Sequence, residues 1–177
     1  MTEEAFWALI EEARRSGGDA LDRQVELLRK HLLACSREEL LGFQDRWEEV
    51  EARAFTWPVW DAACLLLGFV SDDFFDDVRA WIISHGRVTV DQVVADPDSL
   101  VELADDIDVT DTGDAERLSM LIWDVWRERF GDDEDLPESP STGNGPTGQR
   151  IDLKDKQAVR AQFPRLADFT DAPSSPE

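Results

Sequence analysis

From Thr2 to about Phe130 the apolar positions recur with a helical period. Phe6, Leu9, Ile10 and Ala13 fall at i, i+3, i+4 and i+7, and Leu21, Val25, Leu28 and Leu32 take up the same stripe after the Gly17-Gly18 break. Each set predicts an amphipathic helix, because side chains at these spacings share one face. Ser36-Arg37-Glu38-Glu39 has capping-box form, the serine hydroxyl free to accept from the backbone N–H three residues on. It opens a third predicted helix carrying Leu40, Phe43, Trp47 and Val50. The stretch from Phe55 to Leu67 contains Pro58, which suits only a first helical turn, so this helix is expected to start near Trp57 and to end at Gly68. Trp60, Ala63, Cys64 and Leu67 share a face there, and Leu65 and Leu66 widen it until the helix reads as nearly all buried and central.

Ser71 to Arg87, SDDFFDDVRAWIISHGR, combines helix-start chemistry with an apolar stripe. Ser71 is a preferred N-cap, and Asp72 and Asp73 in the first turn interact favourably with the helix dipole. Phe74, Val78, Trp81 and Ile82 form the expected buried stripe, with Phe75 beside it. Asp72 with Asp76 and Asp73 with Asp77 are like-charge i, i+4 pairs, each destabilising by a few tenths of a kcal/mol unless a cation intervenes. Arg79 and Arg87 are the expected internal cations, and His85 followed by Gly86 reads as a helix C-terminus. Val88 to Val94 predicts a short helix in preference to a strand. Asp96-Pro97-Asp98-Ser99 is turn chemistry, and Asp111 to Phe130 predicts a last amphipathic helix closed by Gly131.

Beyond residue 130, DDEDLPESPSTGNGPTGQR cannot bury enough apolar surface to offset the entropy of ordering it, so residues 131–150 are expected to be a disordered linker. Residues 151–177 recover apolar positions, among them Phe163, Leu166 and Phe169, interleaved with Lys154, Lys156, Arg160 and Arg165. They read as a short segment that docks on its own domain or on a partner. The expected architecture is all-α, a compact multi-helix single domain over residues 1–130 with this linker and segment appended.

Charge narrows the function. The chain of 177 residues carries 40 acidic and 18 basic side chains, a net charge of −22, which disfavours nucleic-acid phosphates and anionic lipid surfaces. No apolar run approaches the roughly 20 residues a membrane span needs, and MTEEAFWALIEE lacks a signal peptide's basic start, so a cytoplasmic protein is expected. Cys35 and Cys64 sit apart in apolar settings and read as reduced core residues. The two histidines, His31 and His85, show no metal-ligand spacing. Nucleophile-elbow, phosphate-loop and dinucleotide motifs do not occur, and no metal or cofactor is expected.

Phe6-Trp7, the S-x-E-E-L-x-x-F run from Ser36 to Phe43, W-x-A-A from Trp60 to Ala63 ahead of Gly68, the S-D-D-x-F-x-x-x-R-x-W-I-x-x-x-G-R run from Ser71 to Arg87, and Asp96 to Leu100 occur in that order. In this the chain resembles a bacterial, largely actinobacterial, domain family of unknown function over most of residues 1–130. Related domains commonly have a second glycine where this chain has Phe69 and Val70. The resemblance implies a shared fold and surface and assigns no reaction. The function expected from the residues is a non-catalytic acidic interaction or regulatory module whose protein partner presents basic surface. The alternative is a small enzyme or ligand-binding domain with a pocket where Trp7, Trp60, Asp61, Asp72, Asp73, Asp76, Arg79, Trp81, His85 and Arg87 converge.

Overall fold

The structure, a computed structural model, describes every residue except 19, 107–111, 113, 138–144 and 173–177. Several of its helices start where short polar side chains hold the first free N–H groups. Thr2 caps α1 (Glu3–Gly17), its hydroxyl accepting from the Ala5 amide at 3.2 Å. After α2 (Leu21–Ala34), the capping box at Ser36 and Glu39 starts α3 (Arg37–Ala54) as the sequence predicts. Thr56 caps α4 (Trp57–Leu67), with Pro58 in its first turn and Gly68 at its end, and Ser71 caps α5 (Asp72–Ser84). There follow α6 (Arg87–Ala95) and a 3-10 segment, η1 (Pro97–Asp106). Next come α7 (Glu116–Ser119) and α8 (Leu121–Phe130), the latter ending at Gly131. The start expected for this last helical stretch at Asp111 lies outside the described residues. Two further helices, α9 (Lys156–Gln162) and α10 (Pro164–Asp171), form a hairpin. No strand occurs among the described residues; one isolated parallel bridge joins Thr56 to Thr147.

Helix α5 sits at the centre, packed against α1, α3, α4, α6 and α7. The expectation that α4 would be central is corrected by this packing. In α4 only Val59, Asp61, Ala62 and Ala63 are buried, whereas α5 buries eight residues from Phe75 to Ser84. An unbroken apolar run carries no polar face to mark its outer side, and the outer side of α4 is covered only partly, by α10. The buried stripe of α5 is also rotated from the expected one: Phe75 is fully buried and Phe74 only half so. Phe75 stacks on Trp60 at 4.6 Å between ring centroids, and the Arg79 guanidinium lies over Phe55 at 4.6 Å and over Phe75 at 5.6 Å. A second aromatic group, Phe6, Trp7, Phe43 and Trp47, joins α1 to α3.

Of the expected linker, residues 138–144 lie outside the described residues. On one side of them Trp126 donates to the Glu134 carbonyl at 2.9 Å and Gln44 to the Pro137 carbonyl at 3.1 Å. On the other, the Trp57 amide donates to Thr147 at 2.8 Å and the Thr147 amide to Phe55 at 3.1 Å. Gly148 takes φ 84°, and a Cβ there would meet Pro58 Cδ at 3.1 Å, so a side chain at this position would be both strained and crowded against the start of α4. Replacing Phe75 with alanine is expected to cost about 3–5 kcal/mol of stability, with Phe74→Ala costing less than half as much. Chemical denaturation of the two variants checks the rotated stripe.

Candidate functional site

Helix α3 carries Gln44, Trp47, Glu48 and Glu51 at i, i+3, i+4 and i+7, which puts all four on one face, and Phe55 follows at its C-cap. That face, with Arg79 from α5 and Ser119, Met120, Ile122 and Trp123 from the α7–α8 junction, lines a cleft of about 420 Å³. Trp47 and Arg79 are each more than nine-tenths buried, while Met120 and Trp123 stand 43% and 41% exposed at the mouth.

The cleft's charges are held under tension. The Arg79 guanidinium donates to the Glu51 backbone carbonyl at 3.2 Å and pairs with Asp76, while its Nε finds no partner among the described residues. Burial pushes the Glu51 carboxyl above the ordinary carboxylate range, against the pull of Arg79 and of the Trp47 indole N–H. That N–H feels Glu51 electrostatically without reaching hydrogen-bond geometry. Ser119 offers Glu51 a long hydrogen bond of 3.5 Å. Beside the cleft, desolvation together with Glu116, Asp76 and Asp73 drives Asp77 up to about 6.

The ten residues expected to share a pocket are dispersed. Only Arg79 lines the cleft, with Asp76 as its partner. Asp72 and Asp73 stay exposed in the first turn of α5. Trp7 is buried in the α1–α3 aromatic group, and Trp60 donates to the Val70 carbonyl at 3.0 Å. The ring of His85 meets Trp81 edge-on at 4.7 Å and places Nδ1 2.8 Å from the Trp81 carbonyl. Arg87 turns away from the aspartates, to Glu3 at 3.1 Å and Asp91 at 3.6 Å. Sequence reasoning missed Trp47, Glu51 and Trp123 as cleft residues. The available signal was Glu51, a charge four residues past Trp47 where the apolar stripe of α3 should continue. Cys35 and Cys64 are free and half-buried, and burial raises both thiols. Among the described residues no group of three or more His, Cys, Asp or Glu is disposed to hold a metal ion, and no helix is long and apolar enough to cross a membrane.

A family model described as a protein of unknown function (DUF4240) matches residues 1–128. The chain belongs to the DUF4240 family. No curated protein and no solved structure matches it.

The DUF4240 span contains the cleft apart from Leu136, and also the surface on which the C-terminal residues lie. Asp61, fully buried on α4, accepts from Arg150 Nε at 3.2 Å and from the Ile151 amide at 3.0 Å. Burial pushes its carboxyl up, and these two donors pull it back. Helix α10 packs on α4 and η1, with Phe163 and Leu166 buried and Phe169 at 44% exposure. Asp98, also buried, accepts the Arg165 and Leu166 amides at 2.9 Å each.

For Asp77 the folded value exceeds the ordinary 3.8, so its contribution to stability is present below about pH 4 and is lost as pH rises through about 6. Taken whole, the shift from 3.8 to about 6 is worth ~3 kcal/mol; screening at a half-exposed carboxylate reduces this to about 1 kcal/mol. The variant Asp77→Asn is expected to match the parent chain at pH 4 and to exceed it by about 1 kcal/mol at pH 7. Thermal melts across that range measure the difference.

Proposed function

We propose that this DUF4240 domain is a non-catalytic acidic interaction module of the bacterial cytoplasm that receives a cationic side chain of a basic protein partner in the α3–α5–α8 cleft. The observation that carries the reading is the half-buried, desolvated carboxyl of Glu51 beneath an exposed tryptophan and methionine rim. A carboxylate held above its ordinary pKa gains most from a cation that enters and replaces lost solvent. The surrounding acids, Glu48, Asp76, Asp77 and Glu116, add a field that draws basic surface toward the mouth, and a net charge of −22 supplies the long-range part. Trp123, with the Arg127 guanidinium 4.5 Å from its ring centroid, already makes one cation–ring contact at that rim. The cleft volume of about 420 Å³ also falls within the 300–1,000 Å³ range of small-molecule sites, which supports a ligand-binding domain as the second reading.

A labelled lysine-rich peptide titrated into the full chain tests the first reading. Glu51→Gln is expected to weaken binding about tenfold, and Asp22→Asn, at an exposed acid on α2, less than twofold. Affinity should fall as salt rises past 0.1 M, where the screening length is about 10 Å. It should also fall on acidification, because Glu51, held above the ordinary carboxylate range, takes up its proton at a higher pH than a solvated glutamate does. Equal effects of the two substitutions would reduce the peptide's binding to undirected charge attraction and refute the cleft as its site.

A further inference from the structure

Helix α10 is built without a cap of its own. Its N-cap residue is Phe163, whose side chain makes no capping bond, and Pro164 fills the first helical position, where no N–H exists. The next two amides, of Arg165 and Leu166, are both taken by the Asp98 carboxylate, 67 and 68 residues away in sequence. The domain thus supplies the capping carboxylate that the tail's own sequence omits. The Arg165 side chain is held by the same surface: Nε donates to Asp98 at 3.2 Å, one terminal nitrogen to Glu102 at 2.8 Å and the other to Asp96 at 2.7 Å. Three acids around one guanidinium make a directional receptor for arginine. Phe163 and Leu166, at 1% and 0% exposure, fill the apolar part of the groove, while Phe169 takes no comparable position.

The occupant also behaves as a unit. Helices α9 and α10 pack on each other, and Arg160 binds Asp171 at 2.7 Å within the hairpin. Asp61, Asp96, Asp98 and Glu102 all lie inside the family span of residues 1–128, and the hairpin lies outside it. With the hairpin withdrawn, Asp61 and Asp98 would be wetted rather than left as charges buried without partners, so the receptor can exist empty. We propose that the groove between α4 and η1 is a recognition site for a Phe-Pro-Arg-Leu helical turn. The chain's own tail fills it in cis, and a partner protein presenting the same turn reaches it by displacing that tail. This surface is separate from the α3–α5–α8 cleft and does not rest on the function proposed for it.

The test uses the full chain carrying Arg165→Glu, which sets a fourth carboxylate among three and leaves every groove residue intact. The probe is a fluorescent synthetic peptide of residues 150–172. The tail of the variant is expected to become trypsin-sensitive at Lys154, Lys156 and Arg160, and the variant to bind the peptide at least tenfold more tightly than the unaltered chain. The unaltered chain binds it weakly because a tethered segment competes at an effective concentration on the millimolar scale. The same peptide bearing Arg165→Glu should not bind. A tail that is released while the peptide still fails to bind overturns the proposal, and so does a tail that stays protected. Phe163→Ser is a second means of release. If both variants lose the domain's helical signal, the groove does not exist without its plug and the proposal fails.

Discussion

Two aspartates that this fold buries, Asp61 at 0% and Asp98 at 4% exposure, set the course of the chain after residue 128. An ionised carboxylate withdrawn from water is strongly unfavourable unless donors replace its hydration. Both are satisfied by backbone amides and an arginine side chain drawn from the C-terminal residues: the Ile151 amide and Arg150 for the first, the Arg165 and Leu166 amides and the Arg165 side chain for the second. Because Asp61 is on α4 and Asp98 opens η1, the pairs fasten the returning chain at two points along one surface. The burial of Phe163 and Leu166 follows from that placement, and so does the partial cover that leaves α4 less buried than its apolar sequence suggests.

The rest of the charge follows a different logic. Over residues 1–130 the chain has 30 acids and 13 bases, and several of the arginines tie neighbouring elements together: Arg29 to Glu128, Arg53 to Asp91, Arg87 to Glu3 and Arg117 to Asp22. Exposed pairs of this kind contribute roughly 0–1 kcal/mol each, so they relieve repulsion more than they hold the fold. Around the end of α3 and the start of α5, Arg79 stands among Glu48, Glu51, Asp76 and Asp77, and two of these carboxyls are displaced upward. The acids around Arg79 are the basis on which the cleft is proposed to receive basic surface.

Much of the helical frame was legible from local chemistry. Ser36 with Glu39, Thr56 with Pro58, Ser71 and the glycines at 68 and 131 mark ends that depend only on adjacent residues. Where the apolar run of α4 had no polar face, its rank in the core could not be read, because rank depends on what packs against it. The Phe74 and Phe75 ambiguity has a similar origin: one residue of rotation is decided by Arg79 lying over Phe55 and Phe75, a contact that pairs α5 with the end of α3. The site residues were the least legible. Acids beside aromatics in one stretch suggested convergence, yet a helix turns such neighbours to different sides, and Arg87 found Glu3 instead. The apolar spacing of Phe163 and Leu166 was visible, whereas Asp98 looked like turn chemistry because its partners lie 67 and 68 residues later.

The account depends most on the Asp98 carboxylate capping the helix of the C-terminal segment, and amide hydrogen exchange in the full chain measures that bond directly. The Arg165 and Leu166 amides are expected to exchange as slowly as the interior amides of α10, and to lose that protection in Asp98→Ala while amides of α1 and α5 keep theirs. Exchange of these two amides at unprotected rates in the unaltered chain would contradict the account.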